Sequence, residues 1–417
     1  MMRRAIGHLL TDISHLLRSL WGLALVALFA ELGYAVMQMA ALPLYLRSAF
    51  RMSDGRPLEA WIIGLIISTF LITETAFKVP FGVLSDRYGR KPFIVGGTLI
   101  AGLTPFVMRV VHSPYAFLPL RALDGVGAAA LWPTVFASVA ALSTDDRRVA
   151  AMSIFNMTYL IGVALGLPVY SLVYANVRHH SDVFLVVSAA FLTATVLGIA
   201  LVPAVPRGKA DDPDGVAEKP LSLKEAIRLA QTNRTILVMM VLSLIYTLGT
   251  TLLSGMLSLY AKEVIGLSED RIGLIFLGPG LVVVLLSIPL GWLGGRWGRV
   301  KSVRFGMAVA AAAMWLIPHT RSLASLTAIA VPLVIGFLMA LPAWMAMVTE
   351  AAPPGQQGVV VAAVTTAQGI GAMVAPAIGG RLYDWHPTWP FYASAMLLTL
   401  ALAIAFTYFH EPNKGLR

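Results

Sequence analysis

The sequence predicts an all-α integral membrane protein of twelve transmembrane helices in two six-helix bundles, and three observations carry that expectation. Hydrophobic residues make up 58% of the 417 and charged residues 12%, with a mean hydropathy of +0.78; a soluble domain carries about 25% charged residues. Apolar runs near the roughly 20 residues that a bilayer requires recur twelve times along the chain. A single repeat spacing then divides them. Pro80 and Pro289, Gly82 and Gly291, Leu84 and Leu293, Arg87 and Arg296, Gly89 and Gly298, Arg90 and Arg299, Pro133 and Pro342, and Gly162 and Gly371 all stand 209 positions apart. One offset over that distance means two homologous halves.

Taken in order, residues 5–18 place Ile6, Leu9, Leu10, Ile13, Leu16 and Leu17 at helical spacing, which suits a surface helix or a lead-in to the first span. The spans are expected at 20–46, 61–84, 93–111, 115–142, 149–175, 183–203, 235–261, 271–294, 303–318, 324–349, 357–383 and 390–409. The first run lacks a small-residue cleavage site and is expected to span, not to be a cleaved signal. The longest polar interval, with Pro203, Pro206, Gly208, Pro213, Gly215 and Pro220, reads as a linker, within which Ser222 to Ala230 suits a short surface helix. The boundaries are therefore 1–203 for the first bundle, 204–233 for the linker and 234–417 for the second bundle. Lys and Arg number 20 on the side of both termini and 9 on the other, with Lys78 and Arg121 inside helices. Positive charge collects on the cytoplasmic side, so termini and linker are expected there, in a bacterial-type inner membrane.

Net charge is +10, but the cations sit in short turns between apolar runs, so topology explains them and no nucleic-acid partner is expected. Cysteine is absent, which excludes disulfides and thiolate chemistry. The histidines show no zinc spacing, no phosphate-binding loop exists, and no serine sits in a nucleophile elbow. The expectation is neither an enzyme nor a cofactor protein.

Charges inside spans are the informative signal, since each costs about 2.5–3.5 kcal/mol on insertion scales and faces a cavity or a partner. Glu31, Glu74, Lys78, Arg121 and Asp124 all fall in the first half. Glu31 lies near the middle of the first span with Tyr34 and Gln38 at i+3 and i+7, a polar stripe suited to a water-filled path. A carboxyl so placed is a candidate proton carrier; the alternative is a structural group that never titrates. Glu74 and Lys78 stand i, i+4 in the favourable order and read first as a structural pair, then as cavity lining. Arg121 and Asp124 stand i, i+3 and either bias Glu31 or only order their helix. Trp132 and Trp344, beside the repeat-equivalent Pro133 and Pro342, suit apolar stacking or plain packing. In the second half the polar candidates are Thr247, Thr250, Thr251, Ser254 and Gln368.

The turn Gly82-Val-Leu-Ser-Asp86-Arg87-Tyr-Gly89-Arg90-Lys91 has the form G-x-L-x-D-R-x-G-R-K, with a weaker copy at Gly291 to Lys301. Its charges belong at a membrane surface, and Gly82 and Gly89 are expected to permit close backbone approach. This pattern resembles the signature of the major facilitator superfamily of secondary transporters, and the resemblance spans the chain. The segment Arg121-Ala-Leu-Asp124-Gly125-Val-Gly127 is similar to that superfamily's R-x-x-(Q/D)-G-x-G, whose arginine is associated with proton coupling. Gly162-x-x-x-Gly166-Leu-Pro168, and Leu32-Gly33 with Leu42-Pro43-Leu44-Tyr45, resemble imperfectly the motifs of its drug–proton antiporter branch. Gly371 through Pro376-Ala-Ile-Gly379-Gly380 is closer in texture to the first of these, although small residues at such spacing often serve packing alone.

The resemblance implies a pseudo-twofold major facilitator fold, alternating access, and proton-coupled export of hydrophobic or amphiphilic small molecules such as drugs, by a monomer. It associates Arg121 with proton coupling; with the intramembrane charges read above, the candidate coupling residues are Glu31, Arg121 and Asp124, and the candidate cavity residues are Tyr34, Gln38, Glu74, Trp132, Thr250, Trp344 and Gln368. The resemblance makes Gly82, Asp86, Arg87, Gly89 and Arg90 a conformational latch against the start of the eleventh helix, after Pro353-Pro354-Gly355-Gln356. The alternatives are a lipid or glycolipid transporter with its headgroup against Glu31 and Arg121, metabolite uptake, or a transport-dead receptor or scaffold.

Overall fold

A computed structural model describes residues 20–143, 148–203, 233–352 and 357–409. The expected surface helices at 5–18 and 222–230 and the turn 353–356 lie outside these residues. Twelve helices are long and apolar enough to cross a membrane: α1 Leu20–Ala49, α2 Ala60–Tyr88, α3 Arg90–Met108, α4 Pro114–Leu142, α5 Phe155–Tyr174, α6 His180–Leu201, α7 Arg234–Glu263, α8 Glu269–Trp297, α9 Arg299–His319, α10 Leu323–Glu350, α11 Val359–Trp385 and α12 Trp389–Tyr408. Among the described residues there is no strand, only the isolated bridge between Arg51 and Pro57. Large apolar side chains remain exposed on the helix faces, Leu172 at 68%, Leu285 at 67% and Ile288 at 66%, the arrangement a hydrocarbon solvent rewards.

The repeat is visible in the backbone. One residue separates α2 from α3 and one separates α8 from α9: Gly89 with φ +98° and Gly298 with φ +119°, a region that side chains with a Cβ rarely enter. This corrects the expectation for the signature turn: among the described residues nothing lies within 4 Å of where a Cβ would stand at Gly82 or Gly89. The demand at Gly89 is conformational, and no close approach is made at Gly82. Close approach occurs deeper. A Cβ at Gly97 on α3 would stand 2.6 Å from the Gly127 carbonyl oxygen on α4, and one at Gly306 on α9 would stand 2.7 Å from that of Gly336 on α10. These pairs also differ by 209 positions. Small residues let the helices meet backbone to backbone, which is how helices associate without a hydrophobic driving force.

Among the described residues two compact units emerge, one from 20–37 with those of 72–203, the other from 38–71 with those of 233–409. In the first, α3 packs on α4 and α6; in the second, α9 packs on α10 and α12, α8 on α10, and α7 on α11 and α12. The second unit also holds the outer parts of α1 and α2, the ends remote from the signature turn. Residues Met37–Ala41 of α1 form a π-helical turn followed by Pro43. The α-helical spacing that set Gln38 on the face of Glu31 and Tyr34 therefore does not run through Gln38, because a π turn widens the helix and advances the register. In α7 the corresponding interruption lies at Gly255, with φ +78°, whose Cβ position faces Pro43 and Ile67.

Candidate functional site

The charged residues singled out in the sequence converge in the first unit. Arg121 and Asp124, on successive turns of α4, are both fully buried and form an ion pair through Nη1 and Oδ2, with the Thr104 hydroxyl of α3 beside the carboxylate. On α2, Lys78 Nζ lies 2.9 Å from Glu74 Oε1, the i, i+4 pairing expected of them. Glu31 is 9% exposed, with the Tyr159 hydroxyl of α5 beside its carboxyl group. Its backbone neighbourhood is tight, since a Cβ at Gly162 would stand 2.9 Å from Glu31 Cβ. Tyr34 is the common neighbour, within Coulombic reach of Glu31, Glu74, Arg121 and Asp124.

Aromatic rings wall this cluster. Tyr34 meets Phe191 edge-on at 4.6 Å between centroids, and Trp132 meets Tyr159 edge-on at 5.3 Å. Tyr34 and Trp132, read from the sequence as cavity lining, are both buried in this packing. The electrostatics follow from the pairing. Glu74 is opposed by Lys78 and Asp124 by Arg121, whereas Glu31 has no cation in ion-pair contact among the described residues. Its carboxyl, beside a neutral phenol, is the one acid of the three whose charge is uncompensated.

The second unit presents a different surface. Trp344 and Gln368 line one cavity there, while Thr250 is exposed and donates back to the Tyr246 and Thr247 carbonyls of its own helix. At the signature turn, Asp86 is paired with Arg90 at 3.0 Å, and Arg90 also donates to the Ala137 carbonyl at 2.9 Å. Arg87 lies over the Tyr88 ring, and Lys91 donates to the Ile199 carbonyl. In the second copy, Arg296 stacks on Trp292 and Arg299 pairs with Glu350.

Sequence reasoning missed a clamp at the outer ends of the second unit. Arg47 Nε of α1 lies 2.7 Å from Glu263 Oε1 of α7, and the Tyr383 hydroxyl of α11 donates to the same carboxylate at 3.1 Å. Asp384 accepts the first two N–H groups of α2, from Ala60 at 2.7 Å and Trp61 at 2.9 Å. Gly380 removes the side chain that would collide, since a Cβ there would stand 2.3 Å from the Ala60 carbonyl oxygen. The signal was faint because charges near span ends are ordinary interface residues. Only the pairing of Asp384 with a helix N-terminus distant in sequence distinguishes them.

Known proteins share this architecture. The chain is 24% identical over 352 residues to Multidrug resistance protein 1 of Bacillus subtilis, covering 84% of this chain and 87% of that one. It is 22% identical over 336 residues to the Quinolone resistance protein NorA of Staphylococcus aureus, covering 79% and 83%. Among solved structures, a bacterial homologue of the human lysosomal transporter Spinster aligns over 94% of this chain and 96% of that one, with a TM-score of 0.73 at 14% identity, a likeness of fold alone. The family model of the Major Facilitator Superfamily matches at 23–268 and again at 239–417, so the chain belongs to that superfamily and is a multi-pass membrane transporter, not an enzyme.

Proposed function

We propose that this chain is a proton-coupled exporter of hydrophobic or amphiphilic small molecules, working by alternating access in the inner membrane with both termini cytoplasmic. One observation carries the proton role: of the three carboxyls within spans of the first half, Glu31, Glu74 and Asp124, only Glu31 lacks a compensating cation among the described residues, so its proton is the one free to be exchanged. Export is supported by relatives named for multidrug and quinolone resistance that align over most of their length.

In this reading Glu31 takes up a proton in the state open to the outside and yields it to the inside, exchanging it against substrate. Tyr159 lies beside the carboxyl, and the fixed Arg121–Asp124 pair supplies a constant local field. Glu31→Gln mimics the protonated acid and cannot release a proton. In liposomes under an imposed pH difference the variant is expected to lose gradient-driven transport, while retaining substrate binding whose pH dependence near neutrality is flattened. Full gradient-driven activity in Glu31→Gln would refute the assignment.

A further inference from the structure

Between α7, α9, α10 and α11 of the second unit lies a cavity of about 80 Å³, reached by Ser243, Tyr246, Met307, Leu341, Trp344 and Gln368. No carboxylate or cation is among its lining residues. Ser243 is 3% exposed, and among the described residues its hydroxyl has no hydrogen-bond partner. A helical serine ordinarily satisfies itself on the carbonyl one turn back, as Thr134 and Ser138 do on α4. A buried hydroxyl left open beside a void is a polar contact awaiting a partner.

The repeat shows how the residues lining this void differ from their mates in the first half. Gly162 faces the Leu28 oxygen and Leu32 nitrogen of α1, and its mate Gly371 faces the Leu244 oxygen and Leu248 nitrogen of α7, so α1 corresponds to α7 at an offset of 216. Ser243 then answers to Ala27, Tyr246 to Ala30, Met307 to Thr98, Leu341 to Trp132 and Gln368 to Tyr159. In the first half Ala27, Ala30 and Thr98 are 0% exposed, Trp132 packs its indole on Tyr159, and Tyr159 sets its hydroxyl beside Glu31. In the second half leucine stands for the tryptophan, Gln368 meets no carboxylate at the equivalent Thr247, and a hydroxyl has replaced the methyl at Ser243. A charged set of side chains in one half corresponds to a neutral set in the other.

We infer that this cavity binds a neutral, largely apolar small molecule carrying one hydrogen-bonding group, which pairs with Ser243. Recognition uses second-half residues only, so it stands independently of the proton role of Glu31. The apolar body lies against Met307, Leu341 and the Trp344 indole. A cation finds no counter-charge and is excluded by its desolvation.

The test uses purified full-length protein and three isosteric probes: 1-naphthylmethanol, its ammonium analogue 1-naphthylmethylamine, and 1-methylnaphthalene. Binding is read as quenching of the Trp344 emission, isolated as the part of the signal that Trp344→Phe removes. The alcohol is expected to bind more tightly than the ammonium by at least about tenfold. Ser243→Ala is expected to weaken the alcohol about three- to tenfold while leaving 1-methylnaphthalene unchanged. Leu341→Trp restores the bulk found at Trp132 and is expected to weaken both neutral probes. Equal affinity for the ammonium and the alcohol, or an alcohol affinity indifferent to Ser243→Ala, would overturn the proposal. Ser243→Ala removes one oxygen without adding volume, so that arm stays decisive even where Leu341→Trp fails to fold.

Discussion

Removing the Asp384 carboxylate tests what holds the outer ends of α1 and α2 against α7 and α11. Both carboxylate oxygens are engaged, at 2.7 Å and 2.9 Å from the first two amides of α2. A side-chain cap is worth about 0.5–2 kcal/mol, and an anion at the positive end of a helix about 0.3–1 kcal/mol. Their sum, about 1–3 kcal/mol, corresponds to roughly a 5- to 150-fold change in the balance between clamped and released ends, at tenfold per 1.4 kcal/mol. Asp384→Ala is expected to deliver that shift. Asp384→Asn, which keeps one acceptor and loses the charge, is expected to deliver part of it. Arg47→Ala is expected to do less, since its ion pair with Glu263 is 20% and 29% exposed and solvent screens it. The chain has no cysteine, so spin labels at Ser53→Cys and Ser268→Cys, both exposed, report the separation of the two outer turns by pulsed electron resonance. A longer-distance population should grow in the order Arg47→Ala, Asp384→Asn, Asp384→Ala. An Asp384→Ala distribution identical to the parent would refute the view that this cap holds the clamp.

Arg121→Ala strands a fully buried Asp124 and is expected to cost about 3–5 kcal/mol, read as a large fall in thermal midpoint, because removing one partner leaves an unpaired buried charge. Lys78→Ala is expected to cost less than Arg121→Ala by the same measurement, since its pair with Glu74 is only partly buried, with the two side chains 43% and 13% exposed. A reporter inserted within 208–218 or fused after Arg417 is expected to read as cytoplasmic; a signal from the opposite side would reverse the proposed orientation.

The fold was legible because its signals are repeated. Twelve apolar runs and the 209 offset leave little freedom, and Gly89 with Gly298 confirm the offset in backbone angle. The charged cluster was legible in part. Membrane cost made Glu31, Glu74, Lys78, Arg121 and Asp124 conspicuous, and helical spacing named the two pairs. Tyr159 was not legible, because a tyrosine on an apolar helix carries no such cost and only packing brings it to Glu31. The π turn that includes Gln38 was not legible either, because the sequence does not announce one. The cavity at Ser243 was hidden for a topological reason: α7 follows an offset of 216, so Ser243 does not align with Ala27 until the glycine contacts of α5 and α11 are compared.

Helix α11 joins two different kinds of seam along its length. Gly371 would bring a Cβ to 2.7 Å of the Leu244 oxygen and Gly379 one to 2.0 Å of the Leu252 oxygen, both on α7 of its own half, while the adjacent Gly380 faces Ala60 on α2. Positions 379 and 380 point to opposite neighbours, one a companion within the half and the other a segment from the first half of the chain. A rod fastened on one side and butted on the other cannot bend to separate the second contact without straining the first. In the alternating access proposed above, release at Ala60 would carry α7 and α11 away together as one plank. A methyl group added at residue 379 is then a fault in assembly, whereas the same methyl at residue 380 is a wedge in a door.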